Sequence, residues 1–183
     1  MIVRRGALAH WSRAGYAYIW IMLTQRPNYS YRDAPDVPTF DDSGPVAVMD
    51  ATCGLCAKGA RWIAHNDRAQ AFRIIPVQSA LGGALARHYG QDPDDPVTWI
   101  VIEQGRAHGS LDAMIQVGRR FGGRWRILQG LRLIPRFLRD RAYLLVARNR
   151  YRIMGRADLC NLPDPEIQKR LITEGPAGSE KRG

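Results

Sequence analysis

The sequence predicts a mixed α/β fold: a sheet with flanking helices and an extra C-terminal helical segment. Short apolar runs typical of buried strands alternate with segments whose apolar residues recur every three or four positions, as in amphipathic helices. This alternation is typical of parallel strands. A Gln104-Gly105 turn between two strand-like runs adds an antiparallel pair.

The elements are predicted in chain order from the apolar pattern and the turn residues. We expect strands at residues 46–50, 72–77, 98–102 and 106–108, and helices at residues 56–67, 80–89 and from Ser110 to Gly122. Ser79 and Ser110 are expected to cap helices, and Pro135 to break the C-terminal helical segment. Two apolar stripes are predicted around that proline: Ile127, Leu128, Leu131 and Ile134 before it, and Phe137, Leu138, Ala142 and Leu145 after it.

The 183 residues are enough for one domain, which we place at residues 46–172. Residues 1–45 are expected to be an N-terminal extension and linker, because their last part is rich in Pro, Asp, Ser and Gly, and residues 173–183 a flexible tail.

The N-terminus has a basic start and an apolar run, but no signal-peptide cleavage site, and the run is too short to span a bilayer. Two alternatives are open for this segment. It is either an interfacial helix that carries Trp11, Tyr16, Tyr18 and Trp20 and makes weak contact with a membrane surface, or the result of an over-extended start-codon assignment. We expect a cytoplasmic protein.

The net charge of +10 is unevenly distributed. Twelve arginines lie between Arg119 and Arg156, where Asp140 is the only acidic residue. Such a charge attracts nucleic acid, anionic lipid or an acidic protein. Because no recognised nucleic-acid module accompanies it, we expect a solvated face and no nucleic-acid partner.

The chemistry of the chain is predicted at Cys53-Gly54-Leu55-Cys56. Cysteines three residues apart at the start of a helix are close enough for a disulfide, and the helix N-terminus stabilises a thiolate. We expect Cys53, nearer the loop and less covered, to attack, and Cys56, one turn inside, to resolve the mixed disulfide. Asp50 either relays the proton that Cys56 loses or caps the helix.

A zinc site is the main alternative for the cysteine pair, and it needs two more ligands. Neither a second C-x-x-C nor paired histidine spacing is present, since Cys160, His65, His88 and His108 stand apart. Since these ligands are missing, we expect no metal. No G-x-G-x-x-G follows a strand, so we expect no flavin or nicotinamide, and electrons from another thiol system. Cys160 is expected to be a small buried apolar residue.

Several ordered motifs resemble the DCC family of predicted thiol–disulfide oxidoreductases across about residues 46–172. They are Asp50-x-x-Cys53-x-x-Cys56, Pro76-Val77-Gln78-Ser79, Glu103-Gln104-Gly105-Arg106 with Ser110-Leu111-Asp112-Ala113, and Ala147-Arg148-Asn149-Arg150-Tyr151 with Gly155-Arg156-x-Asp158-x-Cys160. The resemblance implies a thioredoxin-like fold with redox roles for Cys53 and Cys56. In the C-terminal motif, Arg148, Asn149, Arg150 and Tyr151 either bind an anionic substrate or tie the last helix to the sheet.

The function expected from these motifs is exchange of the dithiol with protein or small-molecule disulfides, with an upstream thiol reductant as the second partner. The alternative is a non-catalytic binding module of the same fold, whose arginine-rich C-terminal helices dock an acidic partner or an anionic membrane.

Overall fold

A computed structural model describes residues 13–172 as a mixed α/β fold. In chain order the elements are α1 (Arg13–Gln25), β1 (Val46–Met49), α2 (Gly54–Asn66), β2 (Arg73–Pro76), α3 (Ala80–His88), β3 (Ile100–Glu103), β4 (Arg106–Gly109), α4 (Ser110–Phe121), a 3₁₀ helix (Gly123–Leu133), α5 (Arg136–Arg148), α6 (Arg150–Met154) and α7 (Pro165–Gln168).

The four strands form one mixed sheet in the order β2-β1-β3-β4. The strand β1 is parallel to β2, with Val48 opposite Ile75, and antiparallel to β3, with Val48 opposite Ile100. The β3–β4 pair is the predicted antiparallel hairpin. These strand directions, with the helix α2 joining β1 to β2, give a thioredoxin-like fold, which confirms the predicted fold class.

Both faces of the sheet are covered, because successive side chains of a strand point to opposite sides. Val46 and Val48 of β1 lie in a core with residues of α1 and α3. Ala47 and Met49 lie in a second core with residues of α2, α4 and α7. The carboxyl end of β1 therefore emerges in the middle of the sheet, where α2 begins.

The segment before β1 packs against this domain. Tyr16, Ile19 and Leu23 of α1 are buried in the first core, and so is Tyr31 from the region between α1 and β1. Tyr16 is thus covered by protein, whereas Tyr18 on the same helix is exposed, and Trp11 lies outside the described residues. The division of the chain at residue 45 stays a prediction. Within residues 13–172, no helix has the length and apolar character that crossing a membrane requires.

One of the two predicted helix caps is confirmed. The Ser79 hydroxyl accepts a hydrogen bond from the Gly82 N–H, as expected of an N-cap. The prediction for Ser110 was wrong, because Gly109 occupies the N-cap position of α4. Ser110 has a φ of 56°, and its hydroxyl lies 2.7 Å from the Tyr16 hydroxyl, so it joins α4 to α1 instead.

The C-terminal segment is helical and is interrupted at Pro135, as predicted. Its first part is a 3₁₀ helix with no buried residue. The predicted apolar stripes are largely solvent-exposed: Ile127 is 80% exposed and Phe137 64%. Leu128 of the first stripe lies against Gly118 of α4, but most of the residues that spacing placed together are left in solvent.

Candidate active site

The two cysteines occupy the start of α2, directly beyond the carboxyl end of β1. Cys53 is the N-cap residue of α2 and Cys56 lies in the first turn. The helix begins at Gly54, two residues earlier than the predicted start near Cys56. Backbone N–H groups of Leu55 and Cys56 therefore point at the Cys53 sulfur, as orphan donors at a helix N-terminus do.

The thiol pKa values of the pair are driven apart. The pKa of Cys53 falls to about 6, mainly because the Cys56 thiol donates a hydrogen bond to its sulfur. Burial opposes this fall, while the two backbone N–H groups and the positive charge of Arg150 assist it. The same shared hydrogen bond, burial and the charge of Cys53 raise the pKa of Cys56 well above its ordinary value. At neutral pH one sulfur is thus a thiolate and the other a thiol.

The prediction that Cys53 is the less covered cysteine was wrong. Cys53 is 0% exposed, whereas Cys56 is partly exposed. The segment of residues 155–159, here called the strap, runs beside residues 51–54 and pairs with Cys53 through Arg156. The Gly54 N–H donates to the Gly155 carbonyl at 3.2 Å, and the Ala157 N–H donates to the Thr52 carbonyl at 3.1 Å.

Gly54 is required where the strap crosses the start of α2. A Cβ at this position would overlap the carbonyl oxygen of Met154 and would lie 3.0 Å from that of Gly155. Since both neighbours are backbone atoms, a side chain here would displace the end of α6 or the strap. The glycine between the two cysteines therefore allows the close cover over Cys53.

Asp50 is buried at the end of β1, and both of its carboxylate oxygens are occupied. Oδ1 accepts hydrogen bonds from the Thr52 N–H at 2.9 Å, the Thr52 hydroxyl at 2.8 Å and the Gln78 amide at 2.9 Å. Oδ2 accepts from the Tyr151 hydroxyl at 2.6 Å and lies 3.4 Å from the Arg150 guanidinium. Burial alone would raise the pKa of Asp50, but these hydrogen bonds outweigh it and lower the pKa.

Arg150 connects three parts of the site. Its guanidinium is buried, contacts Asp50 and donates to the Pro96 carbonyl at 2.9 Å, in the loop before β3. It also lowers the pKa of Cys53 through its charge. The sequence left the role of Arg150 open, since its partners lie 54 and 100 residues away and no spacing rule reports them.

A cavity of about 300 Å³ opens beside the dithiol. Cys56, Asp50 and Arg150 reach it, and most of its wall is apolar: Met49, Leu55, Trp62, Val97, Trp99, Met114 and Val146 all contribute. An apolar wall next to a reactive sulfur is typical of a small-ligand site. Neither periodicity nor spacing could have indicated it, because its lining comes from four separate stretches of the chain: residues 49–62, 96–99, 114 and 143–150.

The remaining sequence candidates lie apart from this site or serve packing. The expectation that Cys160 is buried was wrong, because it is partly exposed beside the second core; partial burial still raises its pKa. His65 lies 3.1 Å from Asp164, and His88 3.0 Å from the Ser30 hydroxyl. In the part of the chain that the structure describes, no three His, Cys, Asp or Glu side chains are grouped so as to hold a metal ion.

A thioredoxin-like sheet with two cysteines one turn apart at the first strand–helix junction defines the chain as a thioredoxin-like dithiol protein. Comparison with known proteins specifies the family. Residues 47–156 match the DCC1-like thiol-disulfide oxidoreductase family, and the chain belongs to it.

Two relatives support this membership. The chain is 31% identical to the uncharacterized protein YuxK of Bacillus subtilis over 127 residues, which are 69% of this chain and 93% of that protein. It is 30% identical to a chloroplastic DCC family protein of Arabidopsis thaliana over 123 residues, which are 67% of this chain and 72% of that protein. No solved structure matches the chain.

Proposed function

We propose that this protein exchanges the Cys53–Cys56 dithiol with disulfides, with Cys53 as the nucleophile and Cys56 as the resolving thiol. The observation that carries the proposal is the division of their pKa values, with Cys53 at about 6 and Cys56 well above its ordinary value. A thiolate at neutral pH next to a protonated thiol is what the first step of exchange requires. Family membership supports the same chemistry.

In the proposed reaction, the Cys53 thiolate attacks one sulfur of a substrate disulfide. The substrate S–S bond breaks, a mixed disulfide forms at Cys53, and the first substrate thiolate leaves and takes up a proton. Cys56 then loses its proton and attacks Cys53, which closes the protein disulfide and releases the second substrate thiolate. The substrate gains two electrons and the protein loses two, so a second dithiol must reduce the protein again.

For Asp50, the hydrogen bonds favour a positioning role over a proton relay. Both oxygens already accept hydrogen bonds, and the lowered pKa disfavours taking up the Cys56 proton. Asp50 instead holds the loop before Cys53, through Thr52, and the C-terminal segment, through Arg150 and Tyr151.

The substrate end of the site is the cavity beside Cys56. Its apolar wall fits a disulfide that carries an apolar or aromatic group better than one surrounded by charges. Because Cys53 is 0% exposed and the strap pairs with it, we propose that the strap covers its sulfur and moves aside when a bulky disulfide reacts. A compartment that keeps thiols reduced, such as the cytoplasm, suits this chemistry.

The experiment is reduction of insulin disulfides by dithiothreitol with catalytic amounts of the protein. We expect turnover for the wild type and Cys160→Ser, and none for Cys53→Ser. Cys56→Ser should accumulate a mixed disulfide at Cys53, which mass spectrometry identifies. A mixed disulfide trapped at Cys56 in the Cys53→Ser variant would reverse the assigned roles. Wild-type turnover no faster than the uncatalysed reaction would contradict the proposed function.

A further inference from the structure

Exposed apolar side chains are concentrated in one stretch of the chain that the dithiol chemistry does not use. Of the eleven exposed large apolar residues within residues 13–172, nine lie between Ile127 and Met154. Leu133 is 88% exposed and Leu145 67%. We call this set the interfacial face: Ile127, Leu133, Ile134, Phe137, Leu138, Leu145, Val146, Ile153 and Met154.

Exposed arginines lie among these residues and on either side of them along the chain. Eight of them form no ion pair with any carboxylate of residues 13–172: Arg119, Arg124, Arg126, Arg132, Arg141, Arg148, Arg152 and Arg156. Asp140, the one acidic residue of this stretch, accepts hydrogen bonds from Tyr16 and Arg136. The face therefore presents cationic and apolar groups together, and little negative charge.

The helix α5 shows how the two kinds of residue are arranged. At 100° per residue, its exposed positions form one continuous half of the helix surface, while Asp140, Tyr143, Leu144 and Ala147 occupy the other half. The exposed half carries Phe137, Leu138, Arg141, Ala142, Leu145, Val146 and Arg148. A merely solvated face would carry polar residues at these positions, whereas a helix that lies on a lipid surface has this combination.

We propose that the interfacial face binds the surface of an anionic phospholipid membrane. The arginines would contact lipid headgroups, and the apolar side chains would enter the boundary between headgroups and acyl chains. Surface binding of this kind needs no membrane-crossing helix. Because Val146 belongs both to this face and to the wall of the cavity, the dithiol site would open next to the lipid.

Charge argues against the other occupants available to this face. A second copy of a chain with net charge +10 would place arginines against arginines. Residues 1–12 contain two arginines and no acidic residue, and residues 173–183 contain two glutamates against one lysine and one arginine, so neither segment supplies the opposite charge. A nucleic acid would pair with the arginines but would leave the exposed aliphatic side chains without a partner.

The test is co-sedimentation of the full chain with phosphatidylcholine vesicles, with and without phosphatidylglycerol. We expect binding only when phosphatidylglycerol is present, and weaker binding when the ionic strength rises from about 0.1 M to about 1 M. Two double variants of the face, Phe137→Ser with Leu145→Ser and Arg132→Glu with Arg141→Glu, should each weaken binding by about tenfold or more.

Matched controls lie outside the face. Ile21→Ser changes an exposed apolar residue of α1, and Arg68→Glu reverses an exposed charge after α2, so both should leave vesicle binding unchanged. Urea unfolding of every variant verifies that it is folded. Absence of binding to anionic vesicles would overturn the proposal. Equal binding by the Phe137→Ser/Leu145→Ser variant, or binding to polyglutamate in place of vesicles, would also overturn it and indicate an acidic macromolecule.

Discussion

The Tyr151 hydroxyl donates a 2.6 Å hydrogen bond to Oδ2 of Asp50, across 101 residues of sequence. This bond joins the C-terminal part of the domain to the end of β1, three residues before the nucleophilic cysteine of the proposed reaction. Together with the Arg150–Asp50 ion pair, it holds α6 over the start of α2. The buried Asp50 carboxylate therefore anchors α6 beside the dithiol.

Tyr151→Phe is expected to destabilise the protein by about 1–3 kcal/mol, because a buried carboxylate loses a hydrogen-bond donor. The pKa of Asp50 is lowered in the folded protein, so its contribution is present above the unfolded value of about 3.9 and is lost as the pH falls through the folded pKa. The difference between wild type and variant should thus be largest near pH 7 and shrink below about pH 4. Urea unfolding across pH measures it.

Tyr18→Phe is the matched control for this prediction, since Tyr18 is exposed. It should change the free energy of unfolding by no more than about 0.5 kcal/mol. A Tyr151→Phe variant with the same effect as Tyr18→Phe at all pH values would show that the Tyr151–Asp50 hydrogen bond contributes no stability.

Arg150→Gln is expected to raise the pKa of Cys53, because the variant removes a buried positive charge that stabilises the thiolate. Cys56→Ala should raise it further, since the hydrogen bond from Cys56 is the largest cause of the low value. Alkylation of Cys53 by iodoacetamide, followed against pH by mass spectrometry, should show a midpoint near pH 6 in the wild type. At pH 6 we expect alkylation to be roughly two- to tenfold slower in Arg150→Gln.

The neighbouring Arg148→Gln is the control, because Arg148 is exposed and forms no ion pair with a carboxylate of residues 13–172. Its alkylation profile should match that of the wild type. If Arg150→Gln leaves the midpoint unchanged while Cys56→Ala raises it, the guanidinium serves only to anchor Asp50.

Gly54→Ala is expected to loosen the strap over Cys53. The new methyl group would overlap the Met154 carbonyl, so the end of α6 and the strap must shift, at a cost of about 1–3 kcal/mol in stability. Cys53 should then react faster with bulky maleimides, while its reaction with small iodoacetamide changes little. Size-dependent labelling distinguishes this opening from a change in the pKa of the thiol.

Gly130→Ala is the control, because a Cβ at Gly130 meets no atom within 4 Å and the residue lies in the exposed 3₁₀ helix. It should leave maleimide labelling of Cys53 unchanged. Unaltered labelling in Gly54→Ala as well would mean that the strap does not limit access to the sulfur.

The parts of the fold that sequence could predict are those encoded by local pattern. The strand β1, the helix α2 and the hairpin all follow from spacing or turn residues within a few positions, and so does the placement of Cys53 and Cys56 near a helix start. The parallel pairing of β1 with β2 also agrees with the alternation of strands and helices, which is typical of parallel strands.

Long-range pairing explains what the sequence did not predict. The strap lies beside residues 51–54 through backbone hydrogen bonds, which any residue types can form, so nothing in its side chains indicates that it pairs with Cys53. The Arg150–Asp50 ion pair spans 100 residues with no local signal. Spacing likewise shows that Phe137 and Leu145 share a side of a helix, but not whether protein covers that side.

Met114→Trp is expected to lower the rate with aromatic disulfides by filling the cavity beside Cys56. Met114 lies on the apolar wall and is only partly buried, so a larger side chain there can occupy the cavity without entering the core. We expect kcat/KM for an aromatic disulfide to fall by about tenfold, as loss of an apolar subsite does.

Glutathione disulfide, which is charged, should be a poor substrate of both the wild type and the Met114→Trp variant. Iodoacetamide alkylation of Cys53 is the control, because an unchanged profile shows that the thiolate itself is intact. If both disulfides slow equally, or neither does, the cavity does not select the substrate.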